Sequence, residues 1–384
     1  MVGKKNALNL DSEVLANETN GEKEHLERLG RYAQAKQHQV NVADYILQYE
    51  PKMTRELSAL EECSKTLIFR HWHTVGVYRL IGGCTCKKHL LCAMCALRRS
   101  AKMVMQIHQK IKTVLAENPD LVPVLLTLTV KNEDDLAERY IHITGAKKKL
   151  LQARRSSKAS STRRVKNPSV MRYIHGSVGS YEFKRGQGGH GWHPHSHEIA
   201  LLSPGLEYTK VTVKGKEVES PLEFQAELSR EWLKLTSDSF VVDVRKLQAD
   251  NDEELIAGIC EASKYALKMN TMEVEDQIAA YKVLKGRRLT FSYGSLWGIK
   301  VPDDMADTIE EELKLLPYVD LVYGFYKGEY RHTSTGDFGE LFAPTKKKEE
   351  KHTRQIVDLK YSEQVAEYAS KLRVRDEYES ERAT

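Results

Sequence analysis

Residues 192–202 read Trp-His-Pro-His-Ser-His-Glu-Ile-Ala-Leu-Leu, and this stretch constrains the chain more than any other. Three histidines stand at i, i+2 and i+4, followed by an apolar run. Alternate side chains of a strand point to one face, so an extended backbone projects His193, His195 and His197 together. A helix would scatter them, because its same-face spacing is i+3 or i+4. The sequence therefore predicts a buried strand that carries imidazoles on one side. Two or three imidazoles on one face can hold a divalent metal.

At 384 residues the chain is long for a single core and suggests one large domain with appendages, or two to three domains. Its 41% apolar and 29% charged residues suit a water-soluble globular protein. No apolar run is long enough to span a bilayer. Residues 1–20 lack the apolar core of a signal peptide, so a cytoplasmic location and no membrane partner are expected. The net charge is +5, but it is unevenly placed. Between Lys147 and Lys166 stand nine basic residues (Lys147, Lys148, Lys149, Arg154, Arg155, Lys158, Arg163, Arg164 and Lys166) and no acidic one. Such a run reads as a solvated loop able to contact nucleic-acid phosphates.

The remaining patterns set an expected division. Residues 1–45 read as a flexible region with a helix near Gly21–Gln37. Residues 46–118 read as helical with a cysteine module, 119–300 as the main domain, and 301–384 as an extension with a charged tail. Strands are expected at Pro123–Val130, Tyr173–Lys184, His193–Leu202 and Ser239–Val244. Helices are expected at Arg98–Glu117, at Pro221–Leu235 with Ser220 as its cap, and at Asn251–Met269. The two middle strands, joined by a Gly-rich loop, suggest a hairpin. The fold class is α+β: a central antiparallel sheet bearing the His-x-His strand, flanked by helices, with a small zinc-binding segment.

Four of the six cysteines, Cys84, Cys86, Cys92 and Cys95, fall within twelve residues. Clustering this dense suits a structural Zn²⁺ site, with Cys63 and Cys260 left as core residues. A second His-x-His, His71-Trp72-His73, just upstream, competes with His195 and His197 for a catalytic metal or lends a ligand to zinc. On the Asn251–Met269 helix, Leu255, Ile259, Ala262 and Ala266 gather on one side. Glu261, Lys264, Tyr265 and Lys268 gather on the other. Tyr265 reads either as a surface tyrosine among ion pairs or as a nucleophile whose phenol is activated by nearby ammonium groups.

Three stretches in order, Leu125-Leu126-Thr127-Leu128-Thr129-Val130-Lys131-Asn132, His193-Pro194-His195-Ser196-His197 and Lys264-Tyr265-Ala266-Leu267-Lys268, resemble the motifs of plasmid rolling-circle replication initiators of the HUH endonuclease superfamily. The cysteine cluster and the stretch from Gly286-Arg287-Arg288-Leu289 to Tyr293-Gly294-Ser295 resemble that family too, so the likeness covers roughly 60–300. It implies a metal-dependent, site-specific nick in one DNA strand, with the 5′ phosphate held on Tyr265 and the strand later rejoined. It implies His195 and His197 as ligands of Mn²⁺ or Mg²⁺. It implies a third ligand from the neighbouring strand, for which Glu182 is the best candidate and His193 its rival. The resemblance further implies that Glu261 activates water in the closing step, with Lys264 and Lys268 expected to assist the tyrosine. Arg287 and Arg288 join the basic run as DNA contacts. The DNA partner would be an origin hairpin or single-stranded nick site, with host helicase and polymerase following. Ser196 departs from the family, which prefers a bulky apolar residue there. An HUH transposase and a non-enzymatic zinc-containing nucleic-acid binder are the alternatives.

Overall fold

The computed structural model describes residues 7–158, 168–185, 191–213, 215–248, 251–263, 269–299, 306–307 and 309–336. It falls into two compact units, one of residues 1–88, 92–95 and 303–384 and the other of residues 89–91 and 96–302.

The first unit begins with α1 (Ala7–Tyr49) and α2 (Thr54–Glu62). Its sheet is antiparallel, in the order β11 (Glu329–Gly336), β10 (Val319–Tyr326), β1 (Thr66–Trp72), β2 (Val77–Gly83). Thus segments from both ends of the chain build one sheet, where the sequence read as separate appendages. The short helix expected at 21–37 is part of a much longer one. Leu29, Tyr32, Ala33, Val42, Ala43 and Ile46 are all buried at a three-to-four-residue spacing. The stripe is hard to read because His25, Lys36 and Gln39, all polar, lie buried within it.

The second unit is built on an antiparallel sheet ordered β8 (Val242–Lys246), β3 (Val122–Thr129), β5 (Trp192–Leu202), β4 (Ile174–Arg185), β9 (Thr290–Gly294). A small hairpin, β6 (Thr209–Val213) with β7 (Lys216–Ser220), stands beside it. The helices are the body of α3 (Ala93–Glu117), α4 (Leu136–Lys158), α5 (Leu222–Thr236), α6 (Asp252–Ser263) and α7 (Val274–Leu284). The fold is α+β with antiparallel sheets, and every expected strand is present to within a few residues. Pro221, not Ser220, stands at the cap position of α5; Ser220 closes β7 and donates its hydroxyl to Gln225 Oε1 at 3.2 Å.

The hairpin of β4 and β5 fixes the register of the molecule's most constrained strand. Glu182 pairs with His195, Ser180 with His197 and Gly179 with Glu198. On the other side of β5, Thr127 of β3 pairs with His197. Alternation then sorts the side chains. Thr127, Ser180, Glu182, His195 and His197 share one face, and Leu126, Leu128, Ser177, Ser196 and Glu198 share the other. Helix α6 covers the first face, where Ser180 Oγ donates to Ala262 O at 2.6 Å. It lies close: a Cβ on Gly258 would come within 2.6 Å of Leu247 Cδ1. Helix α4 covers the second face.

The basic run is corrected here. It is helical as far as Lys158, within α4, and not a loop. Ile143, Lys147, Leu150 and Arg154 recur at helical spacing and are all buried. Lys147 pairs with Glu198, itself fully buried, and Ser177 Oγ donates to the same carboxylate at 2.6 Å. Arg154 donates to Ile174 O at 2.7 and 3.0 Å and to His175 O at 3.0 Å. Neither side chain can reach a DNA phosphate from there, whereas Lys148, Lys149 and Arg155 are exposed. Arg163, Arg164 and Lys166 lie outside the described residues, as does the charged tail after 336. Among the described residues no helix is long and apolar enough to cross a membrane.

Candidate functional site

Three ligand-type side chains converge on the α6 face of the second unit. His195 Nε2 is 3.4 Å from Glu182 Oε2, and His197 Nε2 is 3.7 Å from the same oxygen. All three ligand atoms lie within 4.8 Å of one another. Ligands bound at about 2.1 Å around one cation stand roughly 3 to 3.5 Å apart, so the group fits a single divalent metal with little movement. Glu182 and His195 are buried, and His197 is partly open. A carboxylate with two imidazoles can hold one divalent metal, with coordination positions left for water or substrate oxygen.

The far nitrogens of both rings are also engaged. His195 Nδ1 lies 3.3 Å from the carbonyl of His193. A carbonyl only accepts, so that bond puts the proton on Nδ1 and leaves the Nε2 lone pair facing Glu182. His197 Nδ1 lies 2.9 Å from Thr127 Oγ1. With Nδ1–H donating to the hydroxyl, its Nε2 likewise presents a lone pair to the cluster. His193 is placed differently. Its Nδ1 is 2.6 Å from Asn132 Oδ1, and it is not a member of the Glu182 group. Burial pushes His193 below the usual histidine value. Glu261, from α6, brings its Oε1 to 3.7 Å from His197 Nε2 and remains 39% exposed. It therefore borders the cluster on its open side. Lys264, Tyr265 and Lys268 lie outside the described residues.

Ser196 faces α4 between Leu128 of β3 and Tyr181 of β4. It is 1% exposed, and among the described residues its hydroxyl has no hydrogen-bond partner. The departure at this position therefore bears on packing behind the sheet and leaves the ligands untouched. Arg287 stacks over the Tyr140 ring at 4.7 Å, and Arg288 is exposed with its Nε donating to Thr290 O at 2.9 Å.

The first unit holds a second cluster. The sulfurs of Cys63, Cys86, Cys92 and Cys95 lie within 4.8 Å of one another. Sulfur pairs are 3.6 Å apart for Cys63–Cys92, 3.7 Å for Cys63–Cys95 and 3.6 Å for Cys86–Cys95. A zinc tetrahedron with bonds of about 2.3 Å has edges of about 3.8 Å, which these spacings match. Amide N–H groups already point at two sulfurs, Cys86 N to Cys63 Sγ at 3.3 Å and Cys95 N to Cys92 Sγ at 3.4 Å. Ser64 (φ 58°) and Lys87 (φ 56°) take left-handed backbone immediately after two of the cysteines. Non-glycine residues hold that conformation where the surroundings demand it. The thiols also perturb one another: sulfur hydrogen bonds lower Cys63 and Cys95 below the ordinary thiol value, while such bonds raise Cys86 and burial raises Cys92.

This corrects the expected ligand set. Cys84 is outside the four-sulfur group, and Cys63, read from the sequence as a core residue, is inside it. Cys84 contributes its carbonyl, which accepts from Ser64 N at 3.0 Å. No histidine belongs to this cluster among the described residues, and His71 instead stacks on Tyr78 at 3.9 Å.

Comparison with known proteins adds the family to the geometry. A family model described as "Replication protein" matches residues 77–320, well over half of the chain. The chain belongs to this replication-protein family. It is also 28% identical, over 246 residues, to "Protein rep" of Streptococcus pneumoniae serotype 2 (strain D39 / NCTC 7466). That match covers 63% of this chain and 69% of the relative. No solved structure matches it. As a replication initiator of the plasmid Rep type, the protein acts on DNA.

Proposed function

We propose that this replication initiator opens the rolling-circle cycle by nicking one DNA strand at an origin, with a divalent metal held by Glu182, His195 and His197. The observation that carries this reading is the convergence of those three ligand atoms on the α6 face, beside Glu261, in a chain of the replication-protein family. When bound, the metal would neutralise and polarise the scissile phosphate. Thr127 and the His193 carbonyl, bonded to the far ring nitrogens, would hold the imidazoles with their lone pairs inward.

Tyr265 is the proposed nucleophile. Its phenolate oxygen attacks phosphorus, the 3′ oxygen leaves and takes a proton, and the 5′ phosphate stays on the tyrosine. Lys264 and Lys268 would favour the phenolate and screen the phosphate charge. The new phosphodiester retains the energy of the broken bond, so rejoining needs no nucleotide cofactor. Glu261, on the open side of the cluster, would take a proton from water in the closing step. The exposed Lys148, Lys149, Arg155 and Arg288, with Arg287, Arg163, Arg164 and Lys166, are proposed to bind the DNA backbone. A structural Zn²⁺ in the Cys63–Cys86–Cys92–Cys95 group completes the reading.

The test is cleavage of a single-stranded origin oligonucleotide by wild type and by the His195→Ala/His197→Ala double variant, with Mn²⁺ added or withheld and the protein not exposed to chelator. Loss of cleavage with DNA binding within about threefold of wild type is expected, because affinity rests on basic residues away from the cluster. Normal cleavage by the double variant would move the metal elsewhere, and DNA binding without any cleavage by wild type would favour a non-enzymatic binder.

A further inference from the structure

Lys36 lies in the middle of α1 and is 3% exposed. Among the described residues its ammonium bonds only to main-chain carbonyls: Leu60 O and Glu61 O at 3.2 Å and Cys63 O at 2.7 Å. No carboxylate forms an ion pair with it among those residues. A buried ammonium left with dipoles alone is costly, because it has lost its water without gaining an opposite charge. The shortest of these bonds is to the carbonyl of Cys63, one of the four cysteines of the cluster.

Gln39, one turn on, is fully buried and works on the same group. Its Nε2 donates to Cys63 O at 3.0 Å, and its Oε1 lies 3.1 Å from Cys92 Sγ. Two polar side chains of a helix far from the cysteines in sequence thus close one wall of the thiol cluster. Four thiolates around one Zn²⁺ carry a formal charge of −2. Such a charge, buried, requires a positive neighbour as much as the neighbour requires it.

We propose that Lys36 is the built-in counter-charge of the tetrathiolate centre, so that metal binding and the docking of α1 form one equilibrium. This rests on the four-cysteine group binding zinc. Without zinc, Lys36 is a buried charge with only main-chain carbonyls bonded to its ammonium. With zinc, the same ammonium faces a net negative group, and α1 becomes the outer wall of the centre.

The experiment uses the full chain. Zinc content of wild type is measured first, followed by zinc affinity, by chelator competition, of wild type, Lys36→Met and Lys36→Arg. Methionine keeps much of the stem and removes the charge. We expect one zinc per wild-type chain, affinity weakened roughly tenfold or more in Lys36→Met, and a smaller loss in Lys36→Arg. The thermal stability of metal-free protein is expected to be unchanged or higher in Lys36→Met, since an uncompensated buried charge has been removed. A lysine that merely caps α2 would lower stability equally with and without zinc and leave the affinity alone, and that result overturns the proposal. If Lys36→Met does not fold, hydrogen exchange on wild type decides. Amides of residues 33–40 should exchange roughly tenfold faster once zinc is removed, and unchanged exchange overturns the proposal. Absence of zinc from wild type sinks the zinc reading itself, a result distinct from an unchanged affinity in the variant.

Discussion

Thr127 shows how one hydroxyl can govern the cluster. It sits opposite His197 across β3 and β5, and its Oγ1 is 2.9 Å from the imidazole Nδ1. Thr127→Val keeps the shape and removes the acceptor. It is expected to weaken Mn²⁺ binding by roughly 10- to 100-fold, with Thr127→Ser close to wild type. Calorimetric titration of metal into the three proteins checks this, and equal affinity of Thr127→Val and wild type would remove Thr127 from the account. The histidine row was legible in the sequence, because a period of two and a following apolar run admit few other readings. Glu182 became a candidate only through the resemblance and the hairpin. Thr127 and Asn132 could be quoted as part of a motif, but their partners emerge only from the strand register, which a single sequence does not contain.

At the scale of elements, short-range patterns read well and long-range ones did not. The strands β3, β4, β5 and β8 follow from alternation and turn residues. Spacing alone predicted a zinc site from Cys84, Cys86, Cys92 and Cys95, yet the turn after α2 brings Cys63 in and leaves Cys84 out. Nothing local marks a cysteine 21 residues upstream as a ligand. The basic run misled for a similar reason: Lys147 and Arg154 are charged, but their seven-residue spacing places them on the buried stripe of α4. The cysteine assignment separates cleanly by mutation. Cys63→Ser should lose stoichiometric zinc and destabilise the first unit by several kcal/mol, whereas Cys84→Ser should retain zinc and stability. Elemental analysis with denaturant melts reads both, and zinc retained in Cys63→Ser would restore the ligand set read from spacing.

For the whole molecule, stability should respond to pH through a buried histidine of the first unit. His25 is 4% exposed, stacked on Tyr78 at 4.2 Å, with Nε2 3.0 Å from Tyr323 OH. Burial, with Arg28 and His71 nearby, lowers it from 6.5 to about 4. Between those values the unfolded chain takes up a proton that the folded chain refuses, so stability falls as pH drops through the window. The loss at pH 4 is about 3 kcal/mol. His25→Phe keeps a ring in the stack and should flatten that part of the pH dependence in denaturant melts between pH 7 and pH 4; an unchanged profile would assign the acid sensitivity elsewhere. The division into two units was not legible, since residues 319–336 complete the sheet begun by 66–83 and no local pattern links them. The central claim concerns chemistry, and one measurement reaches it most directly. Wild-type protein is incubated with a 5′-extended single-stranded origin oligonucleotide and Mn²⁺, digested, and the DNA-linked peptide is sequenced by mass spectrometry. The account predicts a covalent nucleotide adduct on Tyr265, absent from Tyr265→Phe and from metal-free reactions. A cleaved strand with no protein adduct, or an adduct on another residue, would contradict it.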